Sequence, residues 1–389
     1  MLSGYLGLVT ISALTRPGQA DGAPSASTRR FVILVPAHNE EAGITRALRS
    51  FDVLDYPTEL FGVHVVADNC TDATAAVVRS AGYECHDRSG SAQPGKGPAL
   101  NWLLDRLIDR GVLFDSVVIV DADTSLDPEF LRHIAAAMDA GATVAQGFYG
   151  VRDVAGSSSS ALRYAALACR HHLRPLGRTR LGGSSGLYGN GMAFDRDLMS
   201  GRRWSGHLTE DMEFQMDLVL DGRRVAYVPG ARLEAEMPGS LETSTSQNER
   251  WELGRIQVAR TYLPRFLDRL RQGANPGRAA DLDAIFDLLV PPLSVLVIAD
   301  AAVTLGSVAA CVLRGRPIDK VNLAISGAAS VALVVHVFGG LRSVRAPRIV
   351  YRSLLQAPQM IAWKTLLYLR VLRKPEEVTW QRTTRDSSR

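Results

Sequence analysis

The sequence predicts an α/β fold, a mostly parallel sheet covered by helices on both faces, followed by a helical hairpin long and apolar enough to cross a membrane. Three observations carry that expectation. Runs of mostly β-branched residues, FVILV from Phe31, VHVV from Val63 and SVVIV from Ser116, each lead into polar residues and read as strands buried on both faces. Helical stretches with one apolar face lie between them, the alternation that a parallel sheet requires. Beyond residue 282, apolar stretches of about 30 and about 20 residues are separated by little more than RGRPIDK.

Taken in order, residues 1–15 open with MLSGYLGLVTISAL, mostly apolar and with no basic residue before Arg16. The stretch is short for a span and lacks the charged start of a secretory signal, so it is expected to lie on or dip into a membrane. Residues 16–30 are rich in Pro, Gly, Ser and Ala and read as a linker. The globular domain is expected over 31–275. FVILVPAHNEE gives a strand and then a helix with Ile44, Leu48 and Phe51 on one face. GVHVVADNCTDAT repeats the unit, with Asp68 at the strand end and a helix opening near Thr71 or Asp72. A Gly-rich loop, SGSAQPGKGPA, precedes the helix ALNWLLDRLIDRG and the strand SVVIVDAD. Ligands of such sheets sit beyond the carboxyl ends of the strands. Asn39, Asp68 and Asp121 fall at those ends and converge on one crevice.

Residues 276–341 read as a transmembrane hairpin, with small residues on both segments. Asp300 and His336 fall at depth, where ionisable groups are costly unless paired, and a mutual contact would relieve both. Residues 342–389 hold an apolar stretch interrupted by Arg352, Pro358, Lys364 and Arg370, expected as an interfacial amphipathic helix with a basic tail. The hairpin loop holds three cations, yet the flanks hold more, including Arg265, Arg269, Arg271 and Arg278 before it and Arg342, Arg345 and Arg348 after it. The expectation is an integral membrane protein with its globular domain in the cytosol.

Composition narrows the class. The net charge of +4 rests on 44 basic against 40 acidic residues in 389, with no nucleic-acid signature. Cys70, Cys85, Cys169 and Cys311 show no CxxC spacing, which predicts free thiols in a reducing compartment and no cysteine zinc site.

Asp121-Ala122-Asp123 follows a buried strand. Where the chain turns, two carboxylates one residue apart can address one Mg2+ or Mn2+, whose shell phosphate oxygens complete. Asp68 is placed to accept from a nucleotide's ring N–H or ribose hydroxyl, or else to cap a helix, a role that Asp72 or Thr71 could equally serve. Lys96, between two glycines, supplies a point charge for an anion, or is simply solvated. Glu210 and Asp211 stand ahead of a helix in LTED. They read as a cap, or Asp211 reads as the base that takes the proton of a sugar hydroxyl attacking an anomeric carbon. In QNERW, Trp251 offers a plane for stacking, with Gln247 and Arg250 beside it.

In this order, PAHNEE, VVADNCTDAT, PGKGPAL, DAD, GNGMAF, LTED and QNERW resemble the family 2 glycosyltransferases with the GT-A fold, particularly the membrane-integral branch that includes cellulose and hyaluronan synthases, over roughly residues 31–262. The resemblance implies inverting transfer from a nucleotide-activated sugar, UDP preferred, with Mg2+ or Mn2+. It implies donor contacts at Pro36, Asn39, Glu40, Asp68, Lys96 and Asp121, metal ligands Asp121 and Asp123, and catalysis by Asp211 with Glu210 beside it. The acceptor and diphosphate side falls on Gly189, Asn190, Gly191, Gln247, Arg250 and Trp251. The acceptor is expected to be lipid-linked or a saccharide, at the cytosolic face among membrane lipids. About two spans make a small channel for a polymer, so a processive synthase would need oligomers or partner subunits. An inactive nucleotide-sugar-binding scaffold is the reading from another class. Trp380 to Arg385, WQRTTR, resembles a closing segment over the donor site or serves as a basic tail on anionic lipid.

Overall fold

The structure, a computed structural model, describes residues 1–15, 27–90, 95–152, 154, 156–236, 244–273 and 277–375. Most of the linker, residues 91–94 of the Gly-rich loop and the WQRTTR segment lie outside the described residues. The chain divides into two compact units, one of Pro17–Arg152, Ser184–Met237 and Ser387–Arg389, the other of Met1–Arg16, Asp153–Gly183 and Pro238–Asp386. The division is not linear: parts of the expected 31–275 domain belong with the long helices.

The first unit is built on one mixed sheet of strands β1 (Phe31–Ala37), β2 (Phe61–Asp68), β3 (Glu84–Arg88), β4 (Ser116–Ile119), β5 (Thr124–Leu126), β6 (Val144–Val151), β7 (Met192–Asp195) and β8 (Ala226–Ala235). Their order is β3-β2-β1-β4-β7-β6-β8-β5. The pairs β1–β2, β1–β4, β2–β3 and β6–β8 are parallel, while β4–β7, β6–β7 and β5–β8 are antiparallel. The fold is therefore α/β with a sheet mostly parallel over its first half, as the sequence predicts.

Alternation along β1 shows why its whole run is apolar. Phe31, Ile33 and Val35 join one core with Ile44, Leu48 and Phe51 from the Ile44–Phe51 helix. Val32 and Leu34 join a second core with Leu100, Leu103, Leu104 and Leu107 from the Lys96–Asp109 helix. A strand between two cores has no face left for water.

Two helix starts differ from expectation. The helix after β2 opens at Thr74, because side chains from the loop after β1 take the preceding backbone N–H groups. Asn39 Oδ1 accepts from Thr71 N at 2.7 Å, and a Glu41 carboxylate oxygen accepts from Ala73 N at 2.8 Å. Lys96, expected within a loop, is the first residue of its helix. Gly and Pro there suggest a loop, yet Pro98 sits in the first turn, where a missing N–H breaks no helical bond.

In the second unit, the N-terminal apolar stretch is a helix, Leu2–Thr15, with Leu6, Val9 and Ala13 buried and Leu8, Ile11 and Leu14 exposed. The long apolar run beginning near residue 283 is broken at Pro291 and Pro292. It yields an Arg278–Leu289 helix and then Leu293–Leu313, followed by Pro317–Ser343. At 1.5 Å per residue the last two are roughly 30 and 40 Å long. Both are long and apolar enough to cross a membrane, and Val303, Leu305, Val312, Ile325 and Val331 on them are exposed. Asp300 and His336 are held by hydroxyls and not by each other. Ser330 donates to Asp300 at 2.5 Å, while His336 Nδ1 lies 2.7 Å from Thr10 Oγ1; nearby hydroxyls meet the need that the mutual contact would have met.

The acidic residues of the Arg278–Leu289 helix are paired as well. Arg178, 2% exposed, donates to Asp283 at 2.9–3.0 Å and pairs with Asp287 at 3.0 Å. Burial alone would raise the Asp287 carboxyl, but Arg178 and Arg174 outweigh it and hold the pKa at about 2. The third apolar stretch forms the helices Arg348–Ser353 and Ala357–Arg373, the latter burying Leu367 and Val371 and exposing Leu366, Leu369 and Leu372. Its Lys364 reaches Glu252 at 2.8 Å within the same unit. All four cysteines are free thiols.

Candidate active site

The carboxyl ends of β1, β2 and β4 gather the first polar groups. Pro36 lies within β1. Asn39, just beyond it, has φ of 56°, a left-handed conformation that asparagine tolerates better than most residues. Glu40 N donates to Thr74 Oγ1 at 2.7 Å, and His38 Nδ1 lies 2.7 Å from the Asp68 carbonyl. These bonds tie the ends of β1 and β2 together. Asp68, the last residue of β2, is buried, and Arg88 at the end of β3 donates to its Oδ1 at 2.5 Å. Asn69 adds a bond to Oδ1 at 3.0 Å, and Gly95 N reaches Oδ2 at 3.4 Å. Arg88 has no signal in the sequence, because ECHDR lacks an apolar run.

One residue beyond Gly95, Lys96 forms an ion pair with Asp121 and donates to the Gly189 carbonyl at 2.6 Å. Gly97 leaves no room for a side chain there, since a Cβ would lie 3.2 Å from Trp204 Cβ and closer still to the Ser205 carbonyl oxygen. A Cβ on Gly189 would lie 3.4 Å from Asp211 Oδ2 and 3.5 Å from Lys96 Nζ. Lys96, Asp121, Gly189 and Asp211 thus surround one point. Burial would lower the Lys96 pKa, but Asp121, Glu210 and Asp211 together raise it. Three carboxylates acting on one ammonium leave negative charge in surplus. Asp123, whose Oδ1 accepts from Thr124 Oγ1 at 3.2 Å, adds a further carboxylate on the same turn, and carboxylate oxygens are ligands of the kind Mg2+ and Mn2+ prefer.

Glu210 and Asp211 open the Glu210–Leu220 helix. Thr209 takes the cap position, but its side chain makes no cap bond. Met212 N donates to Asp211 Oδ1 at 2.8 Å instead. Burial first, and then the Asp211 carboxylate, push the Glu210 carboxyl up to about 7. A folded-state pKa above the unfolded 4.5 means that the folded state holds this proton more tightly. The group therefore costs stability as pH rises from about 4.5 to about 7. Glu210→Gln keeps the neutral form, so it is expected to melt close to the wild type at pH 5 and above it at pH 8, read by thermal denaturation in metal-free buffer.

Asn190 is fully buried between Gly189 and Gly191, whose φ angles are 74° and 66°. Its Oδ1 accepts from Asp121 N at 3.1 Å, and its Nδ2 donates to Thr124 Oγ1 at 2.7 Å, so its side chain braces the Asp121–Thr124 turn. Gln146, also fully buried, supports the other side: Nε2 donates to the Asn190 carbonyl at 2.8 Å, and Oε1 accepts from Tyr188 N at 3.0 Å. A glutamine inside the strand run VAQGF is the one signal that could have found it. Asn190→Ala strands the Asp121 amide and the Thr124 hydroxyl, and is expected to lose about 2–4 kcal/mol of stability, read by denaturant titration.

Gln247, Arg250 and Trp251 lie in the other unit, on the first turns of the Thr245–Arg271 helix. Lys364 anchors that end by donating to Asn248 at 2.6 Å.

The polar groups thus gather beyond the carboxyl ends of the parallel strands, where α/β sheets of this class bind their ligands. Residues 29–254 match the family model described as glycosyltransferase like family 2, and the chain belongs to that family. Two curated relatives are named beta-monoglucosyldiacylglycerol synthase. The one from Trichormus variabilis is 23% identical over 98% of this chain and 84% of that protein. The one from Nostoc sp. is 24% identical over 87% and 72%. Among solved structures, a mannosyltransferase from Pyrobaculum calidifontis in complex with GDP-Man and Mn2+ matches 89% of this chain and 99% of that one, at 19% identity and a TM-score of 0.53. That likeness speaks to the fold.

Proposed function

We propose that the protein is a membrane-bound inverting glycosyltransferase that moves one sugar from a nucleotide-sugar donor, a UDP-sugar first, onto the free hydroxyl of a diacylglycerol-type lipid at the cytosolic face. The observation that carries the reading is the meeting of Lys96, Asp121, Gly189 and Asp211 at the carboxyl end of β4. The names of the two relatives support a lipid acceptor. The two long apolar helices support integral membrane attachment, and the basic residues flanking them support a cytosolic crevice. QxxRW at Gln247, Arg250 and Trp251 supports the membrane-integral branch of the family.

In this reading the buried Asp68–Arg88 pair shapes the nucleotide pocket, and Lys96 swings its ammonium from Asp121 toward the departing diphosphate. Asp211 takes the proton of the acceptor hydroxyl as that oxygen attacks the anomeric carbon from the face opposite the leaving group, which inverts the centre. Asp121 and Asp123 would hold a Mg2+ or Mn2+ ion, which supplies positive charge to the phosphate oxygens. Asn190 and Gln146 keep the turn carrying those carboxylates rigid.

The test uses the full chain in detergent with dioleoylglycerol micelles, Mn2+ or Mg2+, and a panel of labelled nucleotide sugars. The expected product is a lipid carrying one sugar. Nucleotide release without glycolipid, a growing polymer, or no turnover with any donor would each reject the reading.

A further inference from the structure

Away from Lys96 and Asp121, three side chains of the neighbouring strands β2 and β3 turn toward one point. The parallel register sets His64 opposite Glu84 and Val66 opposite His86. His64 Nδ1 and His86 Nε2 are 3.5 Å apart. Glu84 Oε2 lies 3.3 Å from the first and 3.4 Å from the second. A four-coordinate zinc ion with bonds of about 2.0–2.1 Å spaces its ligand atoms roughly 3.3 Å apart along each tetrahedral edge. The three measured separations describe one face of that tetrahedron.

We propose that His64 Nδ1, Glu84 Oε2 and His86 Nε2 form a site for a divalent transition metal of the zinc class, with a water as fourth ligand. The donor set selects the ion, because imidazole suits zinc and its neighbours while Mg2+ prefers oxygen alone. Both imidazoles are 6% exposed, and burial favours the neutral ring that a metal requires. Glu84 is half exposed and opens the site to solvent on one side. Arg110 on the Lys96–Asp109 helix donates to the same Glu84 oxygen at 3.1 Å. Its own side chain is 49% exposed and swings into water as the ion takes its place.

The placement gives the ion a structural task. Among the described residues β3 ends the sheet, paired with β2. It also carries Arg88, two residues past His86, which holds Asp68, four residues past His64. An ion on the two histidines cross-links the strands roughly 13 Å upstream of that pair along β2 and fixes the edge strand on which the Asp68 carboxylate depends.

The experiment titrates Co2+ and then Zn2+ into the metal-free full chain carrying Asp121→Asn and Asp123→Asn, so that the acidic turn contributes no competing site. One Co2+ per chain with the visible absorption of a four-coordinate ion is expected, displaced by Zn2+, which raises the melting temperature by several degrees. In the same background, His86→Gln and the solvent-facing Glu84→Gln are each expected to weaken Zn2+ binding at least about tenfold and to lose the absorption. Glu84→Gln decides the matter should His86→Gln not fold. No four-coordinate absorption in the starting protein, or unchanged Zn2+ affinity in Glu84→Gln, overturns the proposal; a trio held by hydrogen bonds alone gives that result.

Discussion

Asp211→Asn is expected to lower kcat about 10²–10⁴-fold, the range that a positioned general base contributes. The donor's KM should change little, because the proposed role lies in deprotonating the acceptor. The geometry separates this role from a purely structural one. Asp211 Oδ1 accepts from Met212 N at 2.8 Å, and the asparagine carbonyl reproduces that bond. The change removes a negative charge from the first turn of the Glu210–Leu220 helix, worth only about 0.3–1 kcal/mol. A small shift in melting temperature with a large fall in kcat therefore belongs to the base, whereas parallel losses belong to the helix start. Steady-state kinetics with the glycolipid readout, alongside thermal melts, distinguish them. A folded Asp211→Asn protein whose kcat stays within about tenfold of wild type would move the base elsewhere.

The legible parts of this chain are those whose physics is local. β1, β2 and β4 announce themselves because strands buried on both faces need unbroken apolar runs, and the strand-end rule then places Asn39, Asp68 and Asp121 at one edge. β3 stays hidden because an edge strand written ECHDR alternates polar residues, so both Arg88 and the His64–Glu84–His86 trio escape a linear reading. Asn190 and Gln146 are legible as residues but not as braces, since the partners they brace lie 42 to 69 positions away. Gly and Pro misplace Lys96 by composition, though Pro98 in a first turn is compatible with a helix. The apolar run beginning near residue 283 hides its own break: Pro291 and Pro292 end one helix and start the next, a boundary that hydropathy averages over but that proline's missing N–H imposes. Its acidic residues report the same division, for Asp283 and Asp287 both pair with the buried Arg178 before the apolar spans begin.

Asp123→Ala is expected to cut turnover at least about 10³-fold while the fold survives. A metal that neutralises phosphate oxygens supplies several kcal/mol to the reaction barrier, and each 1.36 kcal/mol is about tenfold in rate. Removing one of two carboxylates from the turn after β4 should weaken Mn2+ binding enough to forfeit most of that. Stability depends on this side chain far less. Thr124 Oγ1 donates to it at 3.2 Å, but the same hydroxyl accepts from Asn190 at 2.7 Å, and Asn190 also holds Asp121 N at 3.1 Å. The brace stays when the carboxylate goes, which limits the cost to about 1 kcal/mol. Manganese binding by electron paramagnetic resonance, denaturant titration and turnover on one preparation give the three readings. Weak Mn2+ binding and lost turnover in a protein of near-native stability match the assignment. Wild-type turnover in that folded variant would remove Asp123 from the metal site, and Asp121, already paired with Lys96, would have to bind the ion without it.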